Sequence, residues 1–247
     1  MADVLKSPDG SYRFVKGVFP YSAGVASEPG FEIERARFTS VVPIAEGFRR
    51  IEEHLASLGR PRTSLCACEL RSPRPFTEAG FKEFNKAYVP VLEKWGLFRD
   101  GVNPVGRSNV CPEIDPPSEP GFYAFSYTAP GSRPSFVVAG SGEVPEGRGN
   151  YPDHIIRPGD VSPSGLREKA RWVLAEMERR MESLGFGWAD VGATQLYTIH
   201  DVHPFLGDEI VRRGAARGGL TWHFARPPVL GLDYEMDCRG VPRERLL

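Results

Sequence analysis

The feature that most constrains the fold is an internal repeat that divides the 247-residue chain into halves. Residues 45–59 have the three- and four-residue apolar spacing of a helix with one buried face, and a glycine ends the pattern. Residues 166–185 repeat this design. Ser57-Leu58-Gly59 recurs as Ser183-Leu184-Gly185, an offset of 126 residues. The chain is therefore predicted to contain two copies of one structural unit.

The segments after each of these helices also match. Each half shows a short strand, a second helix and two closing strands across a Pro-Pro corner, and each opens with a further strand. The predicted unit is β-β-α-β-α-β-β, present twice, which gives an α+β protein, and four of its five strands can be located in each half. The first half is predicted to have strands 31–42, 65–70, 107–114 and 121–128 with a second helix at 77–95, and the second half strands 135–142, 191–198, 220–226 and 231–239 with a helix near 205–216.

The boundary between the halves is predicted near residue 130. Residues 130–134 read Pro-Gly-Ser-Arg-Pro, a plausible linker between domains 1–130 and 131–247. A second Gly- and Pro-rich stretch, residues 144–163, lies inside the second half and carries Tyr151 and His154. It is either a lid or a solvated surface loop, and we favour the surface loop.

Charge and composition exclude several classes of protein. Lysine plus arginine number 31 and aspartate plus glutamate 32, a formal charge of −1, so binding of nucleic acid through bulk positive charge is not expected. The longest apolar stretches, such as residues 136–139, are too short to cross a membrane. The first residues lack the apolar core of a secretory signal, which favours a cytoplasmic location. The four cysteines are then expected to be free thiols: Cys66, Cys68, Cys111 and Cys238.

Five segments together resemble the RidA (YjgF-type) family of enamine and imine deaminases. In the first half they are Phe19-Pro20-Tyr21-Ser22-Ala23-Gly24-Val25, Phe84-Asn85-Lys86-Ala87-Tyr88 and Gly106-Arg107-Ser108. In the second half they are Val137-Val138-Ala139-Gly140-Ser141-Gly142-Glu143 and Tyr234-Glu235-Met236-Asp237. The resemblance covers nearly the whole chain, and it implies two tandem RidA-like (chorismate-mutase-like) domains, each a mixed sheet backed by two helices.

The resemblance implies a site divided between the halves. Arg107 matches the arginine that binds the substrate carboxylate in this family, and Glu235 matches its active-site glutamate. The first half has an aromatic residue where its own glutamate is expected, and the arginine of the second half is uncertain, with Arg217 as the candidate. Active clefts of the family lie between neighbouring domains of a trimeric ring, so we expect one composite cleft per chain and a homotrimer. The other substrate-binding candidates are Tyr21, Asn85, Ser141 and Gly142.

The residue types fit this assignment, although each has a structural alternative. The guanidinium of Arg107 can bind both oxygens of a carboxylate, or it can form an ordinary surface ion pair. Glu235 can move protons, but it alternates with Asp233 and Asp237 along one strand face, a pattern typical of a solvated face. Tyr21 can also be a packing residue and Asn85 a cap. Gly142, after Ser141, allows close approach of a ligand.

No cofactor or metal is expected. His200 and His203 are three residues apart and His223 follows, but nothing in the sequence fixes the geometry that a metal needs. The expected activity is hydrolytic deamination of an enamine or imine carboxylate, releasing ammonia and a keto acid. Two-domain RidA-like chains of this length resemble the deaminases of 2-aminomuconates and 2-amino-5-chloromuconate. The alternatives are a general deaminase of 2-aminoacrylate-type imines and a catalytically inactive ligand-binding protein.

Overall fold

The computed structural model describes residues 3–9, 11–148 and 151–247. In them the chain forms two mixed β-sheets with helices, an α+β fold as predicted. In chain order the elements are β1 (Val4–Lys6), β2 (Tyr12–Val15), β3 (Gly24–Ser27), β4 (Phe31–Pro43), α1 (Ile44–Ser57), β5 (Leu65–Arg71), α2 (Glu78–Lys94), β6 (Gly106–Pro112), β7 (Gly121–Pro130), β8 (Phe136–Gly142), α3 (Pro163–Leu184), β9 (Ala193–Tyr197), α4 (His203–Phe205), β10 (Leu220–His223), β11 (Ala225–Arg226), β12 (Glu235–Gly240) and β13 (Arg243–Leu246).

The predicted repeat is confirmed in the strand order of the two sheets. One sheet contains the order β6-β5-β7-β4, and the other contains β10-β9-β12-β8. In both, the first pair is parallel and the next two pairs are antiparallel. Apolar side chains of α1 and α2 pack on the first sheet, and those of α3 and α4 pack on the second. Each repeat therefore buries its own helix–sheet core.

The free faces of the two sheets meet each other. Gln195 Nε2 donates to Glu69 Oε2 at 3.2 Å, and these two residues are themselves 126 positions apart. Ser108 Oγ donates to Asp237 Oδ2 at 2.6 Å, again across the two halves. Because buried polar groups need partners, these bonds fix how the sheets are placed against each other.

Strands are also exchanged between the halves. The N-terminal strands β1, β2 and β3 extend the sheet of the second half, and β11 and β13 extend the sheet of the first. Leu246 of β13, for example, pairs with Arg37 of β4. The predicted boundary at 130/131 falls between β7 and β8 and stays a prediction, but each sheet contains strands from both sides of it.

Some element boundaries differ from the predictions. The predicted strand 220–226 divides at Phe224 into β10 and β11, which belong to different sheets. The predicted helix near 205–216 is limited to α4 and a π-helical continuation, Leu206–Val211, followed by a turn in which Gly214 has φ 101°. Glycine is favoured there because this backbone region is strained for other residues.

Particular residues of the sequence determine where the helices begin and end. Thr77 Oγ1 accepts a hydrogen bond from Gly80 N at 3.0 Å at the start of α2, and Ser162 caps α3 in the same way. Gly185, with φ 87°, ends α3.

The longest helix is α3, and no helix in the described part of the chain has the length and apolarity needed to cross a bilayer. The expected trimer and cytoplasmic location stay predictions.

Candidate active site

A cavity of about 520 Å³ lies between the two halves of the chain. One wall comes from α2 and the first residues of β6, and the opposite wall comes from the ends of β8 and β12 that lie side by side. Residues 18–21, before β3, form part of its rim. All six predicted site residues line this one cavity: Tyr21, Asn85, Arg107, Ser141, Gly142 and Glu235.

Arg107 is a buried cation in the wall of the cavity. It is 3% exposed, and Nη1 donates to Asn85 Oδ1 at 2.7 Å. No carboxylate within the described residues forms an ion pair with it, and Nη2 has no hydrogen-bond partner there. Burial lowers the pKa of the guanidinium, which nevertheless stays charged at neutral pH. Such a site favours an incoming anion. Aromatic rings surround the guanidinium carbon at 4.9–5.5 Å from their centroids: Tyr21, Phe81, Phe84 and Tyr88.

Glu235 is a buried carboxyl group, so the interpretation of its strand face as solvated is wrong. Glu235 and Asp237 are each 4% exposed, because this face of β12 is covered by the sheet of the first half. Burial raises the pKa of Glu235 well above its usual range, and the charges of Asp237 and Glu143 raise it further. Its backbone pairs with Gly142 and Tyr197 in the sheet, but its carboxyl group has no hydrogen bond or ion pair among the described residues. Burial therefore favours the neutral form of Glu235, which is the form that can donate a proton.

Arg180 of α3 supports the β8 side of the cavity from behind. It is fully buried, and Nη2 donates to Ser141 Oγ at 3.2 Å while Nη1 donates to the carbonyl of Ala139 at 3.2 Å. It also pairs with Glu146 at 3.2 Å and Glu176 at 2.8 Å. The sequence predictions missed Arg180. Its signal was a charged residue on the apolar stripe of the helix, three residues after Met177 and four before Leu184.

The segment after β8 forms part of the cavity wall, so the preference for a solvated surface loop at 144–163 is wrong for its first part. Residues 157–159 and 161–163 are exposed as expected, and residues 149–150 lie outside the described residues. Residues 144–147 and Tyr151 line the cavity. The ion pair between Glu146 and the buried Arg180 holds the first part of this segment in place. Burial raises the pKa of Tyr151, so its hydroxyl keeps its proton.

The strand registers show which positions of the other half correspond to the site. Cys68 pairs with Arg107, and Thr194, 126 positions after Cys68, pairs with Leu220. Leu220, rather than Arg217, is thus the counterpart of Arg107, and Arg217 is exposed and outside the cavity.

The counterpart of the glutamate follows from the same offset. Glu235 pairs with Tyr197. The residue 126 positions before Tyr197 is Arg71, and Arg71 pairs with Gly121. The first half therefore has no carboxylate at this position: Gly121 is paired there, and the aromatic Tyr123 lies in a register shift between Glu69 and Leu70. Neither half holds both charged groups, and the described cavity combines one from each.

The three histidines considered as metal ligands have separate partners. His200 Nε2 lies 3.4 Å from Asp233, His203 Nδ1 lies 2.6 Å from Asp201, and His223 Nε2 lies 3.1 Å from Gln195 Oε1. Burial and nearby arginines lower the pKa of His223 to about 4, so the neutral ring donates to Gln195. The four cysteines are buried and unpaired, as expected for free thiols.

Gly140 makes room for the carboxyl group of Glu235. A methyl group at this position would overlap Glu235 Oε1 and lie 3.1 Å from the backbone of Ser108. We therefore expect Gly140→Ala to displace Glu235 and to lower turnover about tenfold or more, because misplacement of a reacting group by 1 Å costs about 10²-fold. Gly187→Ala is the control, since no atom lies within 4 Å of its added methyl group. Equal steady-state rates for the two variants would contradict this role of Gly140.

Comparison with known proteins places the chain in a family. A family model described as "2-aminomuconate deaminase CnbZ" matches residues 4–245. A 2-amino-5-chloromuconate deaminase of Comamonas testosteroni is 53% identical over 251 residues, which cover 100% of both chains. Among solved structures, a chorismatase is 13% identical over 92% of this chain and 79% of its own, with a TM-score of 0.47. The YjgF gene product of E. coli is 18% identical over 44% of this chain and 81% of its own, with a TM-score of 0.32.

The match over the whole chain defines an enzyme of the deaminase class. The chain belongs to the 2-aminomuconate deaminase family of CnbZ.

Proposed function

We propose that this enzyme hydrolyses an enamine or imine carboxylate of the 2-aminomuconate type and releases ammonia and a keto acid. The observation that supports this most directly is that the buried charge of Arg107, which has no ion-pair partner among the described residues, lies in the same cavity as the buried carboxyl group of Glu235. Burial raises the pKa of Glu235 and so favours its protonated form. The names of the family and of the Comamonas relative support the choice of substrate class.

Binding begins with the substrate carboxylate at Arg107. The planar guanidinium can donate two parallel hydrogen bonds to a carboxylate. Asn85 holds one end of the guanidinium through Nη1, and Nη2 has no competing acceptor among the described residues. The apolar walls of the cavity suit a conjugated carbon chain. The residues that form these walls include Val18, Phe19, Pro20, Phe81, Val229 and Leu232.

Glu235 then moves the protons. Its carboxyl group protonates the enamine carbon, which gives the iminium, and the resulting carboxylate removes a proton from the water that attacks the iminium carbon. The carboxyl group next protonates nitrogen. It takes back the hydroxyl proton as the C–N bond breaks, so that ammonia leaves and the ketone forms. Enamine plus water thus gives keto acid plus ammonia, and Glu235 ends protonated, as a general acid and base must.

The test is ammonia release by the purified protein from two substrates generated in situ. We expect kcat/KM for 2-aminomuconate to exceed that for 2-aminoacrylate by about tenfold or more. The reason is that 2-aminomuconate has a second carboxylate, which can accept a further hydrogen bond, and a hydrogen bond to a charged group is worth about 1.5–3 kcal/mol. Faster turnover of 2-aminoacrylate would support the general imine deaminase instead. Binding of a keto acid without ammonia release from either substrate would support an inactive ligand-binding protein.

A further inference from the structure

Asn109 presents a second unused hydrogen-bond donor in the cavity wall. It is 3% exposed and lines the cavity. Ser72 Oγ donates to Asn109 Oδ1 at 3.0 Å, which orients the amide. The amide nitrogen Nδ2 is buried and has no partner in the part of the chain that the structure describes. Buried donors are rarely left unpaired, and an exception of this kind points to a missing acceptor.

The position of Asn109 relates this donor to Arg107. Both residues lie on β6, two positions apart, so their side chains extend from the same face of the strand. Two residues of a strand span about 7 Å. This spacing is comparable to the four-carbon chain that separates the two carboxyl groups of a muconate skeleton. A cationic and a neutral donor thus originate from positions of one strand whose spacing is close to the separation of the two carboxylates.

The other cations of the cavity are in a different environment. Lys82 and Lys86 lie at its rim on α2, with side chains that are 70% and 72% exposed. They already pair with Glu78 and Glu83. Among the described residues that line the cavity, Arg107 is the buried cation, so a second buried carboxylate depends on neutral donors.

We propose that Asn109 binds the second carboxylate of a dicarboxylate substrate and selects diacids over monoacids. The assignment rests on the proposed function, in which Arg107 binds the first carboxylate. Ser72 acts as a positioning residue, because its hydrogen bond to Oδ1 turns the NH₂ group toward the acceptor that it lacks.

Calorimetric titration with two inert ligands tests this without turnover. trans,trans-Muconate and sorbate share the six-carbon diene, but sorbate has a methyl group in place of the second carboxylate. We expect the wild-type protein to bind muconate about tenfold more tightly than sorbate, a typical effect of one hydrogen bond to a charged group. Asn109→Asp replaces the donor with a negative charge of the same shape. It should weaken muconate binding at least tenfold and sorbate binding by a clearly smaller factor, because only muconate places a second carboxylate at residue 109.

Three further variants separate the possible outcomes. Asn109→Ser keeps the site neutral and should also lose the preference for muconate. This variant tests the inference even if the Asn109→Asp variant does not fold. Ser72→Ala should reduce the preference partially. Arg107→Lys should weaken both ligands, because both carry the first carboxylate. A preference for muconate that survives in both Asn109 variants, or that is missing in the wild type, would overturn this inference. Unchanged binding of both ligands by Arg107→Lys would instead overturn the proposed function.

Discussion

Glu235→Gln is expected to lower kcat by about 10²- to 10⁴-fold, the usual contribution of a general acid–base group. Glutamine has nearly the same shape and can still fill the space beside Gly140, but it cannot donate a proton to carbon or accept one from water. Steady-state release of ammonia measures the effect. Glu93→Gln is the matched control, since Glu93 is exposed on α2 and outside the cavity. Full turnover by the Glu235 variant would show that another group moves the protons.

The same substitution is expected to stabilise the fold at neutral pH. An unfolded chain releases the glutamate proton near its ordinary pKa of about 4.3, whereas burial raises the pKa of Glu235 in the folded protein. The folded state thus holds a proton that the unfolded state has lost, and the free energy of unfolding decreases as pH rises from about 4 toward the folded pKa. Glutamine has no such proton. The melting temperature of the Glu235→Gln variant should exceed that of the wild type at pH 7, and the difference should shrink toward pH 4.

Arg107→Lys is expected to lower kcat/KM about ten- to a hundredfold. Lysine keeps the charge but loses the planar fork, the hydrogen bond to Asn85 and the stacking among the rings. The lost interactions with a bound carboxylate correspond to about 1.5–3 kcal/mol. Because Arg107 is only 3% exposed, a melting curve must accompany the rates.

Arg217→Lys is the control for this prediction. Arg217 is exposed, and strand register makes Leu220 the counterpart of Arg107. Its replacement should leave kcat/KM within about twofold, as for most exposed positions. Loss of activity in the Arg217 variant together with a normal rate in the Arg107 variant would mean that the described cavity is not the active site.

The repeat, and the placement of Arg107 and Glu235 in one cavity, could be predicted from the sequence. The repeat could be predicted because each copy keeps the apolar spacing of its own helix–sheet core, a local property. Arg107 and Glu235 could be selected because each lies in a recognisable segment, although the segments belong to different halves.

Other features depend on contacts that a one-dimensional pattern does not contain. The alternation of Asp233, Glu235 and Asp237 is the same whether the opposite surface is water or a second sheet. The orientation of the Asn109 amide depends on a hydrogen bond from Ser72, 37 positions away. A local sequence pattern likewise does not determine which strand an edge strand pairs with. For this reason the sequence did not assign β1–β3 to the second sheet or β13 to the first.

The exchange of terminal strands has a consequence for how the enzyme matures. β13 pairs with β4 across a sequence separation of about 209 residues, as in the contact of Arg243 with Glu34. Contacts of such long range form slowly, because the intervening loop must close first. During synthesis the first half can collapse on its own helices, but its sheet is incomplete until β13 has been made. The wall that carries Glu235 is also translated late. The cavity can therefore form only after β12 has been made, and the sheet that supports its other wall is complete only after β13 has paired with β4.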